Sequence, residues 1–245
     1  MKNFKHILFL SVAFIVVTNM KAQPSIYQPG DYKDGIYEKE NSVNRRFIPY
    51  THLREGDVTW EKRVWREIDM REKQNQQLYY PVDPVVSRIS FLQLITKYVL
   101  SNQLLAFQDE EFLNPYEPAV IRQKLVKIDT VEQSSYLEDG TEVTTRVGTA
   151  DSTWMFRQFR KIRVKEDWFF DKQKSVLEVR ILGLGIFTYD EEKEAPREQF
   201  WVYFPACRPF FAKHEVYNWK NDAERRTFED IFWKRQFAST VKKES

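Results

Sequence analysis

Cys207 and His214 are the residues of this 245-residue chain whose types could do chemistry together, since a thiolate paired with an imidazole is an activated nucleophile. The surroundings argue against that use. Cys207 stands among Phe204, Pro205, Phe210 and Phe211, where a lone cysteine serves as a small buried hydrophobe. His214, between Lys213 and Glu215, reads as a surface histidine in a turn. Two histidines and a carboxylate could hold a metal, but His52 and His214 have neither HxxxH nor HExxH spacing. Asp109-Glu110-Glu111 could supply the carboxylate pair of a glycosidase, although adjacent acids on a loop are ordinarily solvated charge. No glycine-rich phosphate loop, G-x-S-x-G elbow or dinucleotide fingerprint occurs, and Gly183-Leu184-Gly185 falls inside a strand pattern. The sequence therefore predicts no catalytic residue, no cofactor and no metal.

Binding chemistry is better supplied. Arg157, Arg160, Lys161, Arg163 and Lys165 form the densest run of positive charge. On a half-buried strand this run is a solvated face; as a docking face it would receive an acidic partner. Trp233 and Phe237 fall on a helical wheel nearly opposite Phe228, Ile231 and Phe232. A helix apolar on two sides touches two things, so Trp233 and Phe237 either pack under another segment of the chain or meet a neighbouring subunit. The candidate partner-binding residues are Arg157, Arg160, Arg163, Lys165, Trp233 and Phe237.

The first residues set an address. Lys2 and Lys5 precede an apolar run from Ile7 to Val17, and Ala22 offers a small residue before Gln23, which predicts a signal peptide over 1–22 cleaved after Ala22. The run is shorter than the about 20 apolar residues of a spanning helix. No later stretch is long and apolar enough to cross a membrane, and no cysteine near the cut could take a lipid, so a soluble exported protein is expected. Cleavage removes three of the 38 basic side chains and none of the 36 acidic ones, which turns a formal charge of +2 into a slight excess of acid. The basic character of the precursor therefore implies no nucleic-acid partner. With Cys207 as the only cysteine, no internal disulfide can form, and stability must come from a core rich in aromatic residues, which make up 16% of the chain against only seven glycines.

These groups need elements to position them. Residues 23–56 mix Pro24, Pro29, Pro49, Gly30 and Gly35 with Tyr27, Tyr32, Tyr37, Phe47 and Tyr50, and predict an extended arm packed on its own domain or on a neighbour. From Asp57 as N-cap, the stripe Trp60, Val64, Trp65 and Ile68 predicts a helix ending near Lys73. Ser90 and Gln93 have capping-box spacing at the head of a second, largely buried helix. Residues 119–132 fit helix first and strand in the second half, and Asp139-Gly140 is a hairpin turn between two short strands. Alternation is clearest over Lys161–Phe170, followed by a polar turn at 171–174 and a strand over Ser175–Thr188 that turns apolar on both faces and so lies centrally. Gly183 and Gly185 within it suggest a bulge or a close backbone approach. A charged loop over 190–198, a strand from Phe200 to Phe204 ended by Pro205, and a last helix starting near Asn221 complete the pattern. Residues 57–245 are expected to form a single α+β domain, an antiparallel sheet packed with helices and preceded by the extended N-terminal arm.

The block Asp57 to Pro81, with Lys62-Arg63-Val64-Trp65-Arg66 and Leu78-Tyr79-Tyr80-Pro81, resembles the GldN/PorN family of gliding motility and type IX secretion proteins. Lys165-Glu166-Asp167-Trp168-Phe169-Phe170-Asp171, Val179 to Leu184, Tyr203-Phe204-Pro205-Ala206-Cys207-Arg208-Pro209 and Phe228 to Phe232 carry the same likeness. The resemblance implies a non-enzymatic periplasmic subunit that forms a ring with the outer-membrane lipoprotein GldK/PorK, near the motor partners GldL/PorL and GldM/PorM. It carries no catalytic residue onto this chain. A monomeric glycan-binding module gripping sugar with exposed aromatic residues, and a periplasmic hydrolase using Cys207 or an acid pair, are the alternatives from other functional classes.

Overall fold

The computed structural model describes residues 44–83, 88–136, 142–190, 193–216, 218, 221 and 223–245. The predicted signal peptide and residues 23–43 of the predicted arm lie outside these. In chain order the strands are β1 (Val58–Asp69), β2 (Ala106–Phe107), β3 (Lys127–Tyr136), β4 (Glu142–Asp151), β5 (Phe159–Asp171), β6 (Val176–Asp190), β7 (Ala195–Tyr203) and β8 (Thr240–Glu244). The helices are α1 (Gln76–Tyr79), α2 (Phe91–Leu100), α3 (Pro118–Leu125), α4 (Trp154–Gln158), α5 (Phe204–Phe211) and α6 (Phe228–Trp233). Six strands make one antiparallel sheet in the order β2-β7-β6-β5-β1-β8, and β3 and β4 form a separate two-stranded ribbon. The fold is α+β, as the alternation and capping signals predict.

The helix expected from Asp57 is instead β1. Its stripe of Trp60, Val64, Trp65 and Ile68 fits helical spacing, but the same segment is rich in the β-branched and aromatic residues that suit a pleated surface. The deciding partners are distant in sequence. Along β5, Arg63 stands opposite Asp167 and Glu67 opposite Arg163, so opposite charges meet across the strands. Local periodicity holds no information about such partners.

The capping box at α2 forms as expected: Gln93 N–H donates to the Ser90 hydroxyl at 3.4 Å and Ser90 N–H to the Gln93 side chain at 2.8 Å. Residues 118–125 are helical and the chain turns to strand at Lys127, which matches the divided expectation for that segment. The Asp139-Gly140 turn lies outside the described residues, while the strands on either side of it pair from Lys127 opposite Asp151 to Tyr136 opposite Glu142. Strand β7 begins at Ala195, inside the stretch expected to be loop. Pro205 ends no strand by itself; it sits in the first turn of α5, where its missing N–H costs nothing.

The last helix also starts later than expected. The Asn221 carboxamide oxygen accepts the Ala223 N–H at 2.9 Å, closing a local turn, and Glu224 pairs with Arg226. The true cap is Thr227. Its hydroxyl accepts the Asp230 N–H at 3.3 Å, and the Asp230 carboxylate accepts the Thr227 N–H at 3.1 Å.

The core lies between the sheet and the helices. Phe91 of α2 is its centre, with Phe159, Phe211, Phe228 and Phe232 at ring distances of 5.6–6.4 Å. Val164, Leu184, Ile186 and Val202 supply the sheet side, all fully buried. Each large side chain so buried contributes about 1.5–3 kcal/mol relative to exposure. On the opposite face of the sheet, a Cβ at Gly183 would come within 2.3 Å of the Phe112 ring, and one at Gly185 within 2.8 Å of the Trp201 ring. Both glycines are there for close approach: bare backbone lets two aromatic rings lie on the sheet.

Candidate assembly surface

Arg208, on α5, is the most deeply buried cation of the described residues, 1% exposed. Its Nε and one Nη donate to Glu229 Oε1 of α6 at 2.9 and 2.6 Å. The same Nη also reaches the main-chain carbonyl of Ile48 at 2.6 Å. The Tyr50, Trp233 and Phe47 rings lie 4.3, 5.0 and 5.1 Å from the guanidinium carbon. A charge can sit this deep because it is paired and its remaining faces are covered by π-systems. Burial pushes the Glu229 carboxyl above the usual carboxylate range, and Arg208 pulls it part of the way back.

Around this pair runs a strap, residues 45–51 of the predicted arm. Arg45 pairs with Asp230 at 2.7 Å, and Tyr50 stacks on Trp233 with centroids 5.7 Å apart. Arg180 of β6 donates to the Thr51 carbonyl at 2.9 Å, and Lys174 to the Thr51 hydroxyl at 2.9 Å. Burial alone would raise the Asp230 carboxyl; hydrogen bonds from Thr227 and the charges of Arg45 and Lys234 hold it below its ordinary value. Strap, β6 and α6 together line a cleft of about 400 Å³, and Trp233 and Arg235 are among its lining residues. The arm thus packs on its own domain over these residues.

The predicted cationic face is largely spoken for. Glu67, 8% exposed, accepts from Lys161 at 3.0 Å and from Arg163 at 2.8 Å, and Arg163 also lies 4.4 Å from the Phe187 ring centre. Lys165 is only 6% exposed: its ammonium donates to the Glu110 carbonyl at 2.6 Å and faces the Phe112 ring at 5.5 Å. Burial accordingly lowers the Lys165 ammonium below its ordinary value. Arg157 pairs with Asp151, and Arg160 lies 5.6 Å from the Tyr189 ring centre. The structure corrects the picture of a free basic stripe, because β1 brings a carboxylate beneath it and the loop after β2 covers one end.

Trp233 and Phe237, paired in the sequence argument, part company. Trp233 is 49% exposed, whereas Phe237, 7% exposed, packs on Phe232 at 5.8 Å in the core. The helix ends at Trp233, so Phe237 follows a turned chain and not a helical wheel.

A second exposed apolar group comes from the sheet itself. Trp60 stands opposite Phe170, and Phe170 opposite Leu177, so three adjacent strands place these side chains in one row. They are 48%, 37% and 53% exposed.

The residues first considered for catalysis have structural partners. The Cys207 thiol is fully buried and donates to the Tyr203 carbonyl, and burial pushes it far above the ordinary thiol range. His214 Nδ1 lies 2.9 Å from the Phe210 carbonyl with its ring edge-on to Tyr98; burial lowers its basicity. It is a half-buried residue and not the surface histidine expected. Asp109 accepts from the Glu111 and Leu113 N–H groups, both at 3.1 Å, and Glu110 accepts from Trp65 Nε1 at 2.7 Å. The acid triplet thus ties down a loop. Among the described residues, no three His, Cys, Asp or Glu side chains converge as a metal site, and no helix is long and apolar enough to cross a membrane.

Arg45, Phe47, Tyr50, Arg180, Arg208 and Glu229 did not figure among the candidates. For Arg208 a signal was present: a charge within the apolar run Phe204 to Phe211 must find a partner once buried.

The model of the family described as "Gliding motility associated protein GldN" matches residues 53–245. No curated protein matches the chain.

Proposed function

The chain belongs to the GldN family of gliding-motility and type IX secretion proteins, and from that premise we propose that it is a non-enzymatic structural subunit acting in the periplasm. Its partners on this reading are further copies of itself and an outer-membrane lipoprotein of the GldK/PorK kind, arranged as a ring close to the GldL-like and GldM-like motor proteins. The observation that carries the reading is the row Trp60, Phe170 and Leu177, each more than a third exposed and aligned across three strands. Apolar side chains scattered singly over a surface need no explanation, but an aligned, exposed row on a sheet is what a partner would bury. A contact in which one patch meets a different patch on the next copy closes into a ring when the rotation closes.

The test is size-exclusion chromatography with light scattering on the exported protein mixed with its lipoprotein partner. We expect a large species that is lost on Trp60→Ser with Leu177→Ser, while the thermal midpoint of the variant alone stays near that of the parent. A mixture that never leaves the monomer position, or a doubly substituted protein that assembles normally, overturns the reading and favours a small glycan-binding module.

A further inference from the structure

We propose that residues 45–51 are an exchangeable strap, and that the Arg208 seat of one copy accepts the strap of the neighbouring copy in the assembled protein. The occupant is thus a second copy of this chain, and the inference rests on the ring reading above.

Three features of the seat support exchange. It grips main chain as much as side chain: Arg208 and Arg180 donate to the carbonyls of Ile48 and Thr51, three residues apart, as befits recognition of an extended segment. It is complementary in charge and stacking, with Asp230 for Arg45 and Trp233 for Tyr50. And it holds the strap without any strand or helix of the domain being continued through it, since residues 45–54 belong to neither kind of element.

The connection also suits a swing. The strap joins β1 through the short turn Glu55–Asp57, whose Gly56 has nothing within 4 Å of where a Cβ would stand. Rotation there moves the strap without disturbing β1, whose own pairing to β5 begins at Val58. Because the same bonds form whether strap and seat belong to one chain or two, exchange loses no contact. At the local concentration inside an assembly it adds a link between copies without any new interface chemistry.

Thr51 and Lys174 are both exposed, and their side chains meet at 2.9 Å, which makes them sites where cysteine is tolerated and a short bismaleimide can bridge. Copies carrying only Thr51→Cys are assembled with copies carrying only Lys174→Cys and with the lipoprotein partner, then treated with the reagent; Cys207 is buried and stays unreacted. A cross-linked band of two protomers is expected on a denaturing gel in the assembled fraction and not in the monomer fraction. If the copies assemble but the band is absent, while a single chain carrying both cysteines cross-links internally, the strap stays at home and the exchange is overturned with the ring reading intact. If the copies do not assemble at all, both fall.

Discussion

Arg208 and Ile48 lie 160 residues apart in the chain, and the guanidinium of the first donates a 2.6 Å hydrogen bond to the main-chain carbonyl of the second. Through Glu229 the same guanidinium ties α5 to α6, so one side chain joins strap, helix and helix. Arg208→Ala leaves the Glu229 carboxylate buried without its cation and should cost about 3–5 kcal/mol in urea denaturation. Arg208→Lys keeps the charge but cannot hold Glu229 and Ile48 in the same fork, and should recover only part of that loss. Wild-type stability in Arg208→Ala would show that the pair is surface decoration.

Gly183 and Phe112 form a coupled pair. Gly183→Ala should destabilise by about 1–3 kcal/mol, as expected when a methyl group enters filled space. With Phe112→Ala already in place, the same change should cost much less, and a double-mutant cycle by thermal unfolding reads the difference directly. Additive effects would mean the ring moves aside freely.

Phe237→Ala should cost about 3–5 kcal/mol, as for other buried aromatic residues, whereas Trp233→Ala should act mainly on strap binding and leave the core intact. Hydrogen exchange of the core amides separates the two, since only the first should accelerate exchange throughout the sheet.

Acid stability should depend on Glu67. Burial opposes its charge, but hydrogen bonds from Arg163 and Lys161 hold its folded pKa below the ordinary value. Its contribution is therefore full above about pH 4.3, the unfolded value, and is lost as the pH falls through the folded one. Glu229 has the opposite sign: its folded pKa is raised, so its ionisation lowers stability as the pH rises through that higher range. Denaturation midpoints across pH 3–6 should show a shallower acid limb in Glu67→Gln than in the parent.

The Cys207 thiol should react with a thiol-specific disulfide reagent only as fast as the domain opens. It is fully buried, and burial pushes its pKa far above the ordinary thiol range, so little of the reactive thiolate forms. Rapid labelling of the folded protein would contradict the packing described for α5.

How much of this was legible in the sequence depends on how local each signal is. The Ser90 and Gln93 cap, the alternation of β5 and the close approach at Gly183 and Gly185 are written within a few residues of where they act, and each was readable. Strand β1 was not, because its spacing satisfies a helix while its composition suits a strand, and the partners that decide, Asp167 and Arg163, lie some hundred residues onward. Strand β8 left no mark of its own; Thr240–Glu244 becomes a strand by pairing with β1. The cationic run was visible as charge, but Glu67 beneath it was not, and so its exposure was overestimated. The strap's aromatic residues were correctly expected to pack. Their seat could not be named, because it is assembled from α5, α6 and β6.

Strand β8 has one further consequence. Among the described residues it forms an outer edge of the sheet, with all five of its own residues exposed, and an edge's row of main-chain donors and acceptors invites another strand to join. Lys242 and Lys243 stand on that border, their ammonium groups held near Glu67 and over the Trp65 ring, and a second strand pairing there would meet both positive charges. Such an edge does not by itself zip copies into ribbons, and contact is left to surfaces that match.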